Sequence, residues 1–181
     1  MTKKELIIES AIKLYRVKGL TFTMDDITQD LHIAKKTIYR FFSSKEELLK
    51  GIVEYGFEHI QENKKKILAE DIPYLDKLKK LLIAMPTDIE SINFKNLEPL
   101  EKDYPAVFEL ISKHLKSDWE PVYEYIQKGI DEGLLREVPL YMIEIIVSSS
   151  MNSLLSSSDD KHSYLQSLDD LVDILMKGIV K

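Results

Sequence analysis

Residues 23–49 read TMDDITQDLHIAKKTIYRFFSSKEELL, and this stretch decides the fold. Thr23 followed by Asp25 and Asp26 is a helix start. A hydroxyl can cap the free N–H groups, and the carboxylates suit the positive end of the helix dipole. That helix is predicted to end near Leu31. Ile33 and Ala34 form a short turn, and a second helix is predicted over residues 35–42. Ser43 or Ser44 then caps a third, with Glu46 and Glu47 in its first turn. Ile27, Leu31, Ile33, Ile38 and Phe41 share one buried side. Two short helices that cross over a common apolar core around a brief turn make a helix-turn-helix. The second helix turns Lys35, Lys36, Thr37, Tyr39 and Arg40 outward, a mix of charge, hydroxyl and aromatic suited to a DNA major groove. The bland alternative is a solvated charged face on an ordinary helical bundle.

The flanking sequence is helical too. Upstream, Ile7, Ile8, Ala11, Ile12, Leu14 and Tyr15 recur at three- and four-residue steps, and Gly19 after Lys18 stops that helix. Downstream, the helix that starts near residue 45 is long. Pro73 is predicted to open a helix through Met85, which Pro86 ends. A short helix is expected within 88–97, and a loop between Pro99 and Pro105. Residues 106–131 form a long helical stretch with a kink or break near 117–121, where Pro121 falls. Pro139 precedes an apolar helix over 140–157, residues 159–162 form a loop, and Leu168, Leu171, Val172, Leu175 and Ile179 mark a last amphipathic helix. The apolar run 141–147 has the composition of a buried strand, but it continues without a turn signal, which favours helix. The expected class is all-α, with about nine helices.

Composition sets the outer bounds. The chain has 181 residues, 44% hydrophobic and 31% charged, a globular profile. It has no cysteine, so no disulfide framework and no thiolate site. Its longest nearly apolar run, 138–147, contains Glu144 and is too short for a bilayer core of ~30 Å. No targeting segment is evident at the N-terminus, and the cytoplasm is the expected location. The net charge of -6 argues, taken whole, against a polyanionic partner. Its distribution argues otherwise. Residues 1–50 hold ten basic and seven acidic residues, net +3, and the rest holds 15 basic and 24 acidic, net -9.

Three segments then carry a family resemblance: Thr21-Phe22-Thr23-Met24-Asp25-Asp26-Ile27, Ile38-Tyr39-Arg40-Phe41-Phe42 and Ser44-Lys45-Glu46-Glu47-Leu48-Leu49. Over residues 4–55 the chain resembles the N-terminal domain of TetR-type transcriptional regulators. The stretch Gly129-Ile130-Asp131-Glu132-Gly133-Leu134-Leu135-Arg136 also resembles a C-terminal stretch of that family. The resemblance implies a helix-turn-helix DNA-binding domain over 1–50, with its motif at about 24–43, and a helical ligand-binding and dimerisation domain over 51–181. It places Thr37 and Tyr39 against phosphates and base edges, and Thr23 and Lys45 against phosphates at two helix starts. Lys35, Lys36 and Arg40 are the further side chains expected to reach bases or adjoining phosphates. The chain departs from the family in three places. His32 and Lys36 stand where glycine is common, and Thr28 stands where alanine is usual, so no base-reading code transfers.

The resemblance further implies a repressor that binds a palindromic operator as a homodimer, through about residues 140–179. A small apolar or amphipathic effector is expected, and no cofactor or metal. Ser148, Ser149, Ser150, Ser153 and Ser156 are small enough for close helix contact, though an intrachain core helix would use them equally. Candidate effector-lining residues are Tyr74, Met85, Phe94, Tyr104, Phe108, His114, Trp119, Tyr123, Tyr141 and Met142, although ordinary core packing is the commoner role for any one such aromatic or methionine. The enzyme class fares poorly: there is no Gly-x-Ser-x-Gly elbow and no glycine-rich phosphate loop. His59 with Glu58 and Glu62 could hold a metal, but such a trio on a charged helix is ordinarily solvated surface. A helical protein-binding adaptor, or a regulator without a small-molecule effector, stays as the alternative.

Overall fold

The computed structural model describes residues 1–84, 98–156 and 164–181. Among them are ten α-helices: α1 Lys3–Lys18, α2 Met24–Leu31, α3 Lys35–Tyr39, α4 Lys45–Ala69, α5 Tyr74–Leu82, α6 Glu98–Asp103, α7 Pro105–Ser117, α8 Glu120–Asp131, α9 Leu140–Ser156 and α10 Tyr164–Ile179. The fold is all-α, and the run 141–147 lies within α9. The expected end of the α5 helix at Met85 and the short helix within 88–97 lie outside the described residues, as do the 159–162 loop and the candidates Met85 and Phe94.

Two boundaries differ from expectation. The segment between Pro99 and Pro105, expected as a loop, is helix α6 up to Asp103. Pro99 sits in the first turn of α6, where a missing N–H has no intrahelical partner to lose. Pro105 likewise opens α7. The other difference is in α3, which is regular only to Tyr39 rather than to 42. Its last turn tightens as Phe41 N–H donates to the Ile38 carbonyl at 2.8 Å. The break anticipated near 117–121 falls at Asp118–Trp119, with Pro121 in the first turn of α8.

The chain divides into two compact units. The first holds residues 1–59 with the described part of 86–114, and the second holds 60–84 with the described part of 115–181. Apolar packing explains the first division. Leu100, Val107 and Ile111 from α6 and α7 share one buried cluster with Ile7, Ile8, Ala11, Phe22, Ile27, Ile38 and Leu48. Leu100, Val107 and Ile111, though far beyond residue 50 in number, thus pack in the same apolar cluster as the helix-turn-helix.

In the second unit, Leu78, Val122, Ile126, Leu135, Ile143, Val147, Val172 and Ile179 form the core. Tyr74 stacks on Tyr125 at 4.6 Å and donates its hydroxyl to the Tyr125 carbonyl at 2.6 Å. A side chain at Gly129 would meet that hydroxyl at 2.1 Å, so glycine is what lets α8 lie this close to Tyr74. Past α8, Gly133 takes φ +74, and the N–H groups of Leu134 and Leu135 both return to the Gly129 carbonyl, at 2.9 and 3.0 Å. Leu135 then bridges to Val180 in antiparallel fashion. Lys64 belongs to a run of three lysines yet is buried, and its ammonium donates to the Asp118 carbonyl at 2.6 Å.

Candidate nucleic-acid interface

The interface is built on α2, the turn after it, and α3. Thr23 caps α2 reciprocally: its hydroxyl oxygen accepts from the Asp26 N–H at 3.2 Å, and the Asp26 carboxylate accepts from the Thr23 N–H at 2.7 Å. Lys18 donates to the same carboxylate at 2.8 Å. His32 ends α2 at φ 53, ψ 42, the left-handed geometry that its place in the turn demands. A non-glycine residue is disfavoured there by roughly 1 kcal/mol, and His is among the better tolerated. Thr28 is accommodated by donating its hydroxyl to the Asp25 carbonyl at 2.7 Å. Ser44 supports the start of α4, its hydroxyl accepting from the Glu47 N–H at 3.2 Å.

On α3, Ile38 is fully buried while Lys35, Lys36, Tyr39 and Arg40 are exposed and Thr37 is half-buried. Five residues of helix thus separate one core anchor from a basic outer face. Their charges are not equally available. Lys35 pairs with Asp25 at 2.7 Å, a contact that raises its pKa. Among the described residues Lys36 and Arg40 pair with no carboxylate, and the Arg40 guanidinium lies 5.7 Å from the Phe41 ring. Thr23 is exposed at the start of α2. Lys45 is placed differently from the rest. Its ammonium is half-buried, donates to the Leu20 carbonyl and packs over Phe22, and burial lowers its pKa.

Asp26 links this geometry to pH. The Lys18 ammonium, then the N–H and hydroxyl of Thr23, hold its carboxyl down to about 2. An ordinary Asp titrates near ~3.9. The contribution is therefore complete above about pH 4 and is lost as pH falls toward about 2. Thermal melts across that window are expected to show part of the acid loss flattened in Asp26→Asn. Parallel profiles for the two proteins would remove Asp26 from this role.

The residues proposed for an effector are distributed over both units. Tyr104, Phe108 and His114 lie in the first unit, where His114 stacks on Phe57 at 4.6 Å and approaches Glu54 at 3.2 Å. Tyr74, Trp119, Tyr123, Tyr141 and Met142 lie in the second. Tyr123 donates to the Glu144 carboxylate, and burial first, then that bond, raises its pKa to about 12. Tyr141 and Met142 are exposed on the surface of α9, at 61% and 38%. Tyr125, which stacks on Tyr74, is a further aromatic of the second unit that the sequence pattern does not single out. Among the described residues no three His, Asp or Glu side chains cluster to hold a metal, and His59 directs Nδ1 to the Tyr55 carbonyl at 2.7 Å.

Residues 7–52, the head just described, match the family of bacterial regulatory proteins, tetR family. The match covers the helix-turn-helix head and not the rest of the chain. Similarity to known proteins extends beyond the head. The HTH-type transcriptional regulator YvaF of Bacillus subtilis (strain 168) is 25% identical over 177 residues, 96% of this chain and 93% of the relative. The fold matches the fatty acid degradation regulator FadR of Bacillus halodurans at TM-score 0.79 and 16% identity, covering 97% and 99% of the two chains. It also matches FadR of Bacillus subtilis, solved in complex with stearoyl-CoA, at TM-score 0.74 and 16% identity over 97% and 99%. The head therefore has the helix-turn-helix of that family model, and the relatives of similar length carry the description of HTH-type transcriptional regulators. No helix among the described residues is long and apolar enough to cross a membrane.

Proposed function

We propose that this protein is a TetR-type regulator: a homodimeric, effector-responsive repressor of a palindromic operator, acting in the cytoplasm and without catalytic activity. The observation that carries the reading is α3, where the buried Ile38 anchors a helix whose Lys36, Tyr39 and Arg40 stand free of the core. Each subunit places α3 in a major groove, with Thr23, Lys35, Thr37 and Lys45 completing the phosphate contacts. Two such heads read half-sites about one helical turn apart, ~34–36 Å.

Exposed apolar residues support the dimer. On α9, Tyr141, Met142, Ile145 and Ile146 recur at helical spacing on the surface, and Ile174 on α10 is 71% exposed. Between these helices runs a groove of about 300 Å³ lined by Val138, Met142, Ile146, Leu171, Ile174 and Ile179 among others. A contiguous apolar surface of this kind needs cover, and a second copy supplies it isologously. The effector is proposed as small and apolar or amphipathic. The stearoyl-CoA held by one regulator of the same fold supports that class. Its binding would favour a head separation that no longer fits both grooves.

Selection of bound DNA from a random pool tests the reading. The expected product is a two-fold-symmetric sequence bound in a salt-dependent manner. A pool that stays unenriched, or a site without symmetry, would count against it.

A further inference from the structure

Lys45 opens α4, yet its charge is directed inward. The ammonium donates to the Leu20 carbonyl and lies 4.5 Å from the Phe22 ring centroid and 5.9 Å from that of Tyr104. Phe22 is fully buried, and Tyr104 is half-buried at the junction of α6 and α7. All three partners belong to the first unit and are uncharged; the Asp26 carboxylate, already bonded to Lys18, also attracts the ammonium without contacting it.

We propose that Lys45 has two positions, inward on Leu20, Phe22 and Tyr104 in the free head and outward on a phosphate in the DNA complex, and that Tyr104 sets the balance between them. This rests on the reading that the head binds DNA. A carbonyl dipole and two ring faces hold an ammonium less firmly than a full negative charge does. The four-carbon stem of lysine is long and flexible enough for the head group to leave one partner for another. The outward position brings it beside the exposed Ser43 and Ser44 and the first N–H groups of a 25-residue helix, which themselves favour an anion. DNA therefore shifts the lysine outward, at the cost of the inward contacts.

Tyr104 reads on that cost without touching DNA. It follows α6 directly and precedes Pro105, so any movement of α6 against α7 carries the ring. Withdrawal of the ring frees the lysine, and its return retains it. Tyr104 is thus a positioning residue that acts through Lys45. The contact also gives segment 98–114 a route to the DNA-binding face within one compact unit.

The test compares wild type, Lys45→Ala, Tyr104→Phe, Tyr104→Ala and the Lys45→Ala/Tyr104→Ala double variant. Binding to a selected operator is measured over a range of salt concentrations. Lys45→Ala is expected to lower the salt slope by about 0.9 for each subunit. Tyr104→Ala is expected to tighten binding by about five-fold per subunit with the slope unchanged. Tyr104→Phe keeps the ring and should bind as wild type does. The tightening should vanish in the double variant. If Tyr104→Ala does not fold, Tyr104→Leu fills the space without a π face and carries the same expectation. A wild-type slope in Lys45→Ala, or tightening by Tyr104→Ala that persists without Lys45, overturns the proposal alone. Absence of any salt-dependent DNA binding by wild type overturns the DNA-binding reading along with it.

Discussion

Ile145→Glu combined with Ile174→Glu is expected to convert the proposed dimer into a monomer and to weaken operator binding by about a hundred-fold or more. Both isoleucines are largely exposed in the single chain, at 50% and 71%, so glutamate there disturbs little of the core around Ile143, Val147 and Leu175. The effect appears only on association. Each carboxylate would have to enter an apolar interface, a transfer that costs several kcal/mol when no partner charge is present. Loss of the dimer removes the linkage between two heads. The second half-site is then met as an independent molecule, without the high local concentration that coupling supplies. Light scattering at micromolar protein should report a monomer that keeps its helical circular dichroism, with a melting temperature lowered only by the lost association. A double variant that stays dimeric would mean that α9 and α10 are not the interface.

The second large effect concerns α3. Lys36→Ala with Arg40→Ala is expected to reduce operator affinity by at least about a hundred-fold, since each contact to a base or phosphate contributes ~1–3 kcal/mol and a dimer loses four. The salt slope should fall by about 0.9 for each phosphate contact removed. Lys35→Ala provides the internal comparison. Its ammonium is already engaged by Asp25 at 2.7 Å, so DNA must compete for it and its removal should matter less. With only +3 over residues 1–50, the head has little surplus charge to mask these losses. Titration of the variants on one operator at several salt concentrations decides the order. A Lys35→Ala loss equal to that of the Lys36 and Arg40 pair would show that pairing in the free protein does not govern availability.

Much of the head was legible in the residues alone, because its determinants are local. Thr23 with Asp26 three positions on is a capping pair whose meaning needs no distant partner. His32 stands where the resembled family commonly has glycine, and its φ of 53 is the left-handed geometry that a glycine there would adopt without strain. Features that depend on remote contacts were not legible. Pro99 read as a breaker, because a proline in a first turn and a proline in a loop look alike until the helix start is known. Leu100, Val107 and Ile111 are apolar at helical spacing, but nothing in that spacing says that their partners are Ile7 and Leu48 rather than Leu78. Lys45 could be placed at a helix start but not turned inward, since its direction depends on Phe22 and on Tyr104, 59 positions away by numbering. The aromatic candidates were the least decidable. Tyr141 on an exposed surface and Tyr74 stacked beneath Tyr125 have the same composition-level signature.

The antiparallel bridge between Leu135 and Val180 restricts how the second unit can move. Arg136 N–H donates to the Ile179 carbonyl at 2.9 Å, and Lys181 N–H donates to the Leu134 carbonyl at 3.3 Å. Those bonds fasten the C-terminal end of α10 to the turn that follows α8. An axial slide of α10 would shear both bonds and unseat Leu135 and Ile179, so the soft motion left to the helix is a pivot about its fastened end. A pivot produces displacement in proportion to distance from the pin. Side chains early in α10 then have the longer lever arm, and those near Ile179 act as the bearing.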